Sequence, residues 1–303
     1  MLEQKHNIKA WIYLLPALVL LVVFTFYPIV NAFILVFMEG YRYIDGTWTG
    51  WTLTGNIRYV LNSQLFWDAM RNTLVIVFVS VPISVIISLF IAVWLNSIKR
   101  LQGTFQTIFF LPYVTNSIAI GMAFAVIFNR DFGLFNLILG LFSIDPINWV
   151  GTGASWGRAM TALMVFIVWN GLAFKIIVFL SGLQSIDKQY YDAARIDSAS
   201  KRRVFLKITV PLLSPMIAFI TITSFIGAFK EYTAVVGMFG ENLNPGGGGR
   251  NMMITIVGLV YESLGQVYPG ATSEAAAAAI ILFFMTLLLT LFNMYISKKR
   301  VHY

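Results

Sequence analysis

Long apolar runs alternate along the chain with short polar segments, and nearly all of the charged residues lie in the polar segments. Six of the runs reach the length, about 20 residues, that a helix needs to cross roughly 30 Å of hydrocarbon. These runs cover residues 10–38, 73–97, 101–129, 159–182, 208–229 and 275–297. The pattern therefore predicts an all-α integral membrane protein with six transmembrane helices.

Two further apolar runs are too short to cross a bilayer. We expect residues 132–142 to form an interfacial or re-entrant helix, and residues 251–265 are a second short run, interrupted by Glu262. The turn-rich segment 241–250 before that run contains consecutive glycines, which in other proteins can hold phosphate groups. It lacks the Gly-Lys-Ser/Thr ending of a P-loop, so we interpret it as a flexible connection.

The composition limits the class of protein and the kinds of catalytic and metal site that the chain can hold. With 58% hydrophobic and 11% charged residues in 303, the chain falls in the membrane class rather than the soluble one. It has no cysteine, and its two histidines, His6 and His302, lie at opposite tails. These counts exclude disulfides and cysteine metal sites, and they offer no histidine catalysis.

The basic residues predict the orientation of the spans. The net charge of +8 comes from Lys and Arg clustered between the apolar runs, which is a membrane pattern rather than a nucleic-acid one. Placing both termini in the cytoplasm gives that side the basic residues of both tails, of 99–100 and of 188–207. The first run is too long for a signal-peptide core, so we expect a retained helix there.

Residues 190–215 are the only long stretch with dense charge. The stretch begins with acidic and small residues, turns basic, and then enters an apolar segment that contains Pro211 and Pro215. On a short helix, Asp197 and Lys201 would stand four residues apart and could form an ion pair. A solvated loop between two transmembrane helices is the simpler interpretation of such a stretch.

The order of residue types in this stretch resembles the EAA loop of binding-protein-dependent ABC importer permeases. The matching positions are Asp192, Ala193 and Ala194 at the opening triplet, Asp197, Ser198 and Ala199 at the Asp-Gly-Ala, and then Phe205, Ile208, Pro211 and Pro215. Among such permeases the chain is most similar to the carbohydrate group. It departs from the pattern at three positions: Asp192 replaces Glu, Ser198 replaces Gly, and Asp187 stands where Pro is frequent.

This resemblance implies a type I ABC importer permease fold with a cytoplasmic coupling helix at about residues 190–200. Residues 1–70 would hold the N-terminal cytoplasmic tail, the first helix and an outer loop. Residues 71–297 would form the transmembrane core, with the coupling loop at 183–207, and residues 298–303 a cytoplasmic tail. The coupling positions are Asp192, Ala193, Ala194, Asp197, Ser198 and Ala199.

The resemblance also implies the partners. They are a second permease subunit forming a heterodimer, two cytoplasmic ATPase subunits, an extracytoplasmic solute-binding protein, and the lipid of a bacterial or archaeal inner membrane. The chain itself would be non-catalytic and would carry no cofactor, since ATP and Mg would be bound by the ATPase. Its cargo would be an oligosaccharide, or alternatively glycerol-3-phosphate or another polar solute. We expect no nucleic-acid partner.

A sugar path needs aromatic faces for the apolar surface of the rings and polar side chains for the hydroxyls. The candidates for such contacts are Trp169, Asn170, Lys230, Glu231, Tyr232 and Asn116. A simpler interpretation is that Lys230 reaches the outer interface with Glu231 as its ion-pair partner. Lys175 fits a snorkelling or structural role. The alternative is that it lines the sugar path.

Two other classes of membrane protein fit less well. An integral-membrane enzyme would need a cluster of carboxylates or histidines at one membrane face, and the sequence shows none. A channel would not require a loop that docks on an ATPase.

Overall fold

The structure, a computed structural model, describes residues 4–98, 102–247 and 251–300. The α-helices, in chain order, are α1 (Gln4–Leu21), α2 (Tyr27–Leu35), α3 (Gly55–Asn62), α4 (Gln64–Val75), α5 (Val81–Ser97), α6 (Gln102–Val114), α7 (Ser117–Ile127), α8 (Leu134–Gly140), α9 (Trp156–Ser185), α10 (Lys188–Ile196), α11 (Lys201–Val204), α12 (Val210–Leu212), α13 (Ser214–Phe229), α14 (Thr233–Phe239), α15 (Ile256–Leu264) and α16 (Ala271–Arg300). Two short strands, β1 (Met38–Glu39) and β2 (Gly50–Trp51), pair antiparallel, and a 3₁₀ turn covers Pro245–Gly247.

Three five-residue π-helical segments join successive α-helices, and each precedes a proline by two residues. They are Val22–Phe26 before Pro28, Ile76–Ser80 before Pro82, and Phe205–Thr209 before Pro211. Proline has no N–H, and its ring clashes with the carbonyl four residues earlier. The wider π turn accommodates that clash without ending the helix.

The prediction of six apolar spans is confirmed, with a qualification about continuity. Four continuous helices are long and apolar enough to cross a membrane: Lys9–Leu35, Gln64–Ser97, Trp156–Ser185 and Ala271–Lys298. The third and fifth predicted spans are instead bent pairs of helices. Gly103–Val114 and Ser117–Ile127 meet at 100°, and Lys201–Leu212 and Ser214–Phe229 meet at 67°. The count reaches six when each bent pair is one span.

Each bend coincides with a residue that starts a new helix. At the first, the side chain of Asn116 caps α7, because its Oδ1 accepts the N–H groups of Ile118 (2.9 Å) and Ala119 (3.3 Å). At the second, Pro215 lies in the first turn of α13, where its missing N–H has no intrahelical partner to lose.

The described residues cluster into two compact units. One contains the chain up to Phe66 together with Leu259–Leu282, and the other contains Trp67–Gly258 together with the chain from Phe283. In the first unit, Asn56 is buried and its Nδ2 donates to the carbonyls of Val36 (2.8 Å) and Met38 (2.9 Å).

The larger unit has its buried core where α5, α9 and the start of α13 pack together. The core side chains are Ala92, Leu95, Ile176, Phe179, Leu180, Leu183, Leu213 and Ile220. In the same unit α7 and α14 approach closely at Gly121 and Gly237: a Cβ on Gly121 would lie 2.8 Å from the Cα of Gly237. Only glycine at both positions leaves room for this contact.

The two short apolar runs form short helices. Residues 132–142 contain α8, of 7 residues, and residues 251–265 contain α15, of 9 residues. Whether α8 is interfacial or re-entrant stays a prediction. In the turn-rich segment, residues 248–250 lie outside the described part of the chain.

Candidate functional site

A cavity of about 320 Å³ lies within the larger unit, among α5, α6, α9 and α13. Its wall is formed by Ser80, Val81, Ser84, Tyr113, Ile167, Asn170, Gly171, Phe174, Lys175, Thr223, Ser224, Gly227, Ala228, Glu231 and Ala234. Hydroxyl and amide side chains from four helices or their junctions therefore face one space within otherwise apolar spans. An apolar cavity with a few convergent polar groups is typical of a small-molecule site.

The cationic side chain in the wall is Lys175 of α9. It is buried, and its Nζ donates to the carbonyl oxygen of Gly171, one turn earlier, at 2.7 Å. A Cβ on Gly171 would lie 2.9 Å from that Nζ. The glycine therefore leaves the room in which the lysine folds back along its own helix.

The acidic side chain in the wall is Glu231, in the link between α13 and α14. Its Oε1 accepts the N–H of Ala234 at 2.9 Å, in the first turn of α14, and Thr255 Oγ1 donates to its backbone carbonyl at 2.8 Å. The proposed ion pair with Lys230 is not formed; Lys230 is exposed. The carboxylate instead holds the start of α14.

The structure brings only part of the predicted sugar-path set together. Asn170 and Glu231 both line the cavity. Trp169 points elsewhere: it is 39% exposed, and its ring centroid lies 5.1 Å from that of Phe124. Asn116 caps α7 at the bend.

Lys230 and Tyr232 are likewise outside the cavity wall, since they flank Glu231 at the ends of α13 and α14. The sequence interpretation of the site missed Ser80, Ser84, Tyr113, Thr223 and Ser224 as wall residues. Isolated hydroxyl residues within apolar runs were the available signal, but they also occur where a hydroxyl bonds its own helix. Ser84, for example, also donates to Val81 O at 3.1 Å.

The loop that resembles the EAA motif contains a short helix, α10, followed by a tight turn. The backbone N–H of Ser198 donates to Arg195 O (3.0 Å), and that of Ala199 donates to Ala194 O (2.9 Å). These two bonds form a Schellman motif with Ser198 at its left-handed position, at φ 52°. A left-handed residue favours glycine, which explains physically why glycine suits this position in the motif.

Two details of this loop differ from the sequence interpretation. Asp197 follows the end of α10 and Lys201 begins α11, so they do not share a helix, and no ion pair joins them. Instead Asp192 accepts from Arg195 at 3.3 Å on the exposed face of α10. Ala194 is buried within this chain at 6% exposure, whereas Ala193 is exposed.

The smaller unit has a cavity of its own, of about 530 Å³, with Arg42, Asp45, Gln266, Tyr268 and Thr272 among its wall residues. Tyr268 donates its hydroxyl hydrogen to Glu274 Oε2 at 2.5 Å. Burial, and then this hydrogen bond, raise the pKa of Tyr268 above its usual range. Hydrogen bonds from Thr47 lower the pKa of the exposed Asp45.

No group of three or more His, Asp or Glu in the described ranges is placed to hold a metal ion.

The comparisons with known proteins agree with this architecture. A family model described as "Binding-protein-dependent transport system inner membrane component" matches residues 46–302. The chain is 31% identical to the lactose transport system permease protein LacF of Rhizobium radiobacter over 99% of this chain and 97% of the relative. It is 29% identical to the trehalose/maltose transport system permease protein MalF of Thermococcus litoralis over 87% and 86% of the two chains.

A solved structure shares the fold at lower sequence identity. It is a bacterial ABC transporter involved in the import of the acidic polysaccharide alginate, matched with a TM-score of 0.76 and 19% identity over 98% of this chain and 97% of that one. The family model covers well over half of the chain and reaches across the cavity and the α10 loop. The chain therefore belongs to the family of inner-membrane permease components of binding-protein-dependent transport systems.

Proposed function

We propose that this chain is the permease subunit of an ABC importer that moves a carbohydrate, most simply an oligosaccharide, from a solute-binding protein into the cytoplasm by ATP-driven alternating access. The observation that carries the proposal is the cavity among α5, α6, α9 and α13, where hydroxyl and amide groups converge within the spans. Relatives named for lactose and for trehalose/maltose support a sugar as cargo. Sites between packed helices at membrane depth are where alternating-access transporters bind their cargo.

The energy for transport comes from outside this chain. Two ATPase subunits bind ATP and Mg, and the chain contributes the docking helix α10, with Asp192 and Ala193 on its exposed face. A second permease subunit completes the path as a heterodimer. Both termini, and with them α10, face the cytoplasm of a bacterial or archaeal cell, and the distribution of basic residues supports this orientation.

Ala194 is buried and Ala193 is exposed, and this difference decides which variant tests the docking proposal. Ala194→Glu would place a charge in a buried position of this chain and so confound docking with folding. Ala193→Glu places the same charge on the exposed face of the same helix. Asn96→Glu, exposed at the end of α5 on the same predicted membrane side, is the matched control.

The measurement is the ATPase activity of the purified assembly with its co-encoded solute-binding protein and a panel of sugars, with glycerol-3-phosphate included. We expect one sugar to stimulate the wild type and Asn96→Glu, and Ala193→Glu to lose that stimulation while keeping its expression level. An Ala193→Glu assembly that remains fully stimulated would refute the docking role. Stimulation by glycerol-3-phosphate alone would replace the carbohydrate with a phosphorylated solute.

A further inference from the structure

The buried lysine in the cavity carries a charge for which the described residues supply no counter-ion. Lys175 is 9% exposed, and its ammonium has three N–H donors, of which the carbonyl of Gly171 takes one. No carboxylate of the described chain lies within 4.0 Å of its Nζ. Two donors and the positive charge are left facing the cavity.

Glu231 shares the cavity wall but does not neutralise this lysine. Its Oε1 is engaged by the backbone N–H of Ala234 at 2.9 Å and lies 3.5 Å from Thr233 Oγ1. These contacts fix the carboxylate at the start of α14. Within the described residues the ammonium therefore has no ion-pair partner.

A charged group inside a membrane-spanning segment is strongly unfavourable unless an opposite charge or a polar network compensates it. The hydroxyl of a neutral sugar can accept a hydrogen bond from an ammonium but brings no charge. A carboxylate or phosphate does both, and such charge-assisted bonds are about twice as strong as neutral ones.

We propose that Lys175 binds an anionic group, a carboxylate or a phosphate, on the transported solute. The inference rests on the proposed function, because it assigns the class of solute to the same cavity. Ser84, Asn170 and Thr223 line the same cavity and bind the uncharged hydroxyls of that solute. Gly171 keeps the ammonium in place, since a side chain there would collide with it.

The test uses the complete assembly in proteoliposomes with its solute-binding protein and three radiolabelled probes. The probes are a trigalacturonate, which offers carboxylates; glycerol-3-phosphate, which offers a phosphate; and a neutral galactotriose. Lys175→Met removes the charge at nearly constant length. Arg158→Met, at the exposed start of the same helix, is the control for loss of a positive charge on α9.

We expect one of the two anionic probes to be taken up, and Lys175→Met to lower its uptake by roughly 10- to 100-fold, which is the range for a lost hydrogen bond to a charged group. Arg158→Met should transport like the wild type. The probe that responds identifies the anion as carboxylate or phosphate.

A chemical rescue separates a charge effect from misfolding. Because the chain has no cysteine, Lys175→Cys introduces a unique thiol. Aminoethyl methanethiosulfonate then restores an ammonium of similar length, and methyl methanethiosulfonate restores only bulk. We expect uptake of the anionic probe to return with the first reagent and not with the second.

The outcomes are distinct for the two proposals. Uptake of galactotriose alone, or of trigalacturonate with no response to Lys175→Met, overturns the anion-binding role and leaves the carbohydrate permease standing. Uptake of glycerol-3-phosphate alone with no response to Lys175→Met overturns both the anion-binding role and the carbohydrate cargo. No uptake of any probe by an intact, ATP-hydrolysing wild-type assembly overturns the proposed cargo and the role of Lys175 with it. Equal rescue by both reagents also overturns the charge-based role.

Discussion

Asn72 of α4 joins three parts of the larger unit, and we expect its replacement to lower the stability of the fold. It is 1% exposed, and its Nδ2 donates to the carbonyls of Met252 (3.0 Å) and Ile254 (2.8 Å). Its Oδ1 accepts the indole N–H of Trp156 at 2.7 Å. One amide thus fixes the segment before α15 and the first residue of α9 to α4.

Asn72→Leu keeps the volume of the side chain and deletes all three hydrogen bonds. It leaves the Ile254 carbonyl without this partner in a buried place, and the Met252 carbonyl and the Trp156 N–H without it in partly buried places. The loss of a buried hydrogen-bond partner costs about 1–3 kcal/mol, and partly buried groups fall at the low end. At the low end of that range the sum is about 3 kcal/mol of free energy of unfolding. For a domain of this size class, that corresponds to a fall of about 6–12 °C in the thermal midpoint.

The assay is the monodisperse fraction of the detergent-solubilised assembly on size-exclusion chromatography after heating. Asn293→Leu is the matched control, because Asn293 makes a single bond to Leu289 O of its own helix at 2.9 Å. We expect that variant to melt within about 1–2 °C of the wild type, as for a change of about 0.5 kcal/mol. Equal midpoints for the two variants would refute the argument that Asn72 ties the segments together.

Three further predictions follow from particular residues. Ser198→Gly should relieve about 1 kcal/mol of left-handed strain, and amide exchange at the end of α10 should slow about fivefold; unchanged exchange would argue against the strain. Gly237→Ala should lower the free energy of unfolding by about 1–3 kcal/mol, since a Cβ there would lie 2.9 Å from a carbonyl of α7. The control Gly157→Ala places its Cβ in open space and should leave the thermal midpoint unchanged. Tyr268→Phe should be less stable than the wild type at neutral pH. Because the pKa of Tyr268 is raised in the folded chain, its stabilisation begins to decline above its unfolded pKa of about 10, and the gap between the two midpoints should narrow from there upward; a constant gap contradicts this.

The apolar runs were enough to predict the spans, because a bilayer demands a fixed length of apolar helix. They were not enough to predict the bends. Residues 101–129 carry no charge, yet the helix breaks at Asn116, whose side chain satisfies the N–H groups that begin α7. An asparagine followed by serine within an apolar run is an N-cap signal that hydropathy alone conceals.

The site was harder to predict than the fold, since it depends on contacts between distant segments. Asn170 and Glu231, two of the residues expected on the sugar path, line the cavity. That they contact the cargo stays a prediction. The sequence favours a snorkelling or structural role for Lys175, because it does not show which side of α9 faces a cavity. Buried amides such as Asn136, which accepts from Trp149 Nε1 at 3.2 Å, look like ordinary loop residues in the sequence.

Helical segments connect the α10 loop to the cavity on both sides, continuous in α9 before the loop and bent after it. α9 carries Lys175 and runs unbroken for ten more residues, about 15 Å, to Ser185, close to the start of α10. After the loop, α11 and α12 lead to the 67° bend, and beyond it α13 reaches the cavity at Thr223.

The ends of these two helices next to the loop are packed together, since Leu183 and Leu213 belong to one buried cluster. Protein interiors are close-packed and transmit displacement rather than absorb it. Under the proposed function, a force that the ATPase applies to α10 therefore reaches the two walls that hold the polar groups at the same time. The same packing explains why a cargo anion at Lys175 would be sensed at the loop: a ligand that binds one arrangement of these walls better shifts the chain toward that arrangement by its difference in affinity.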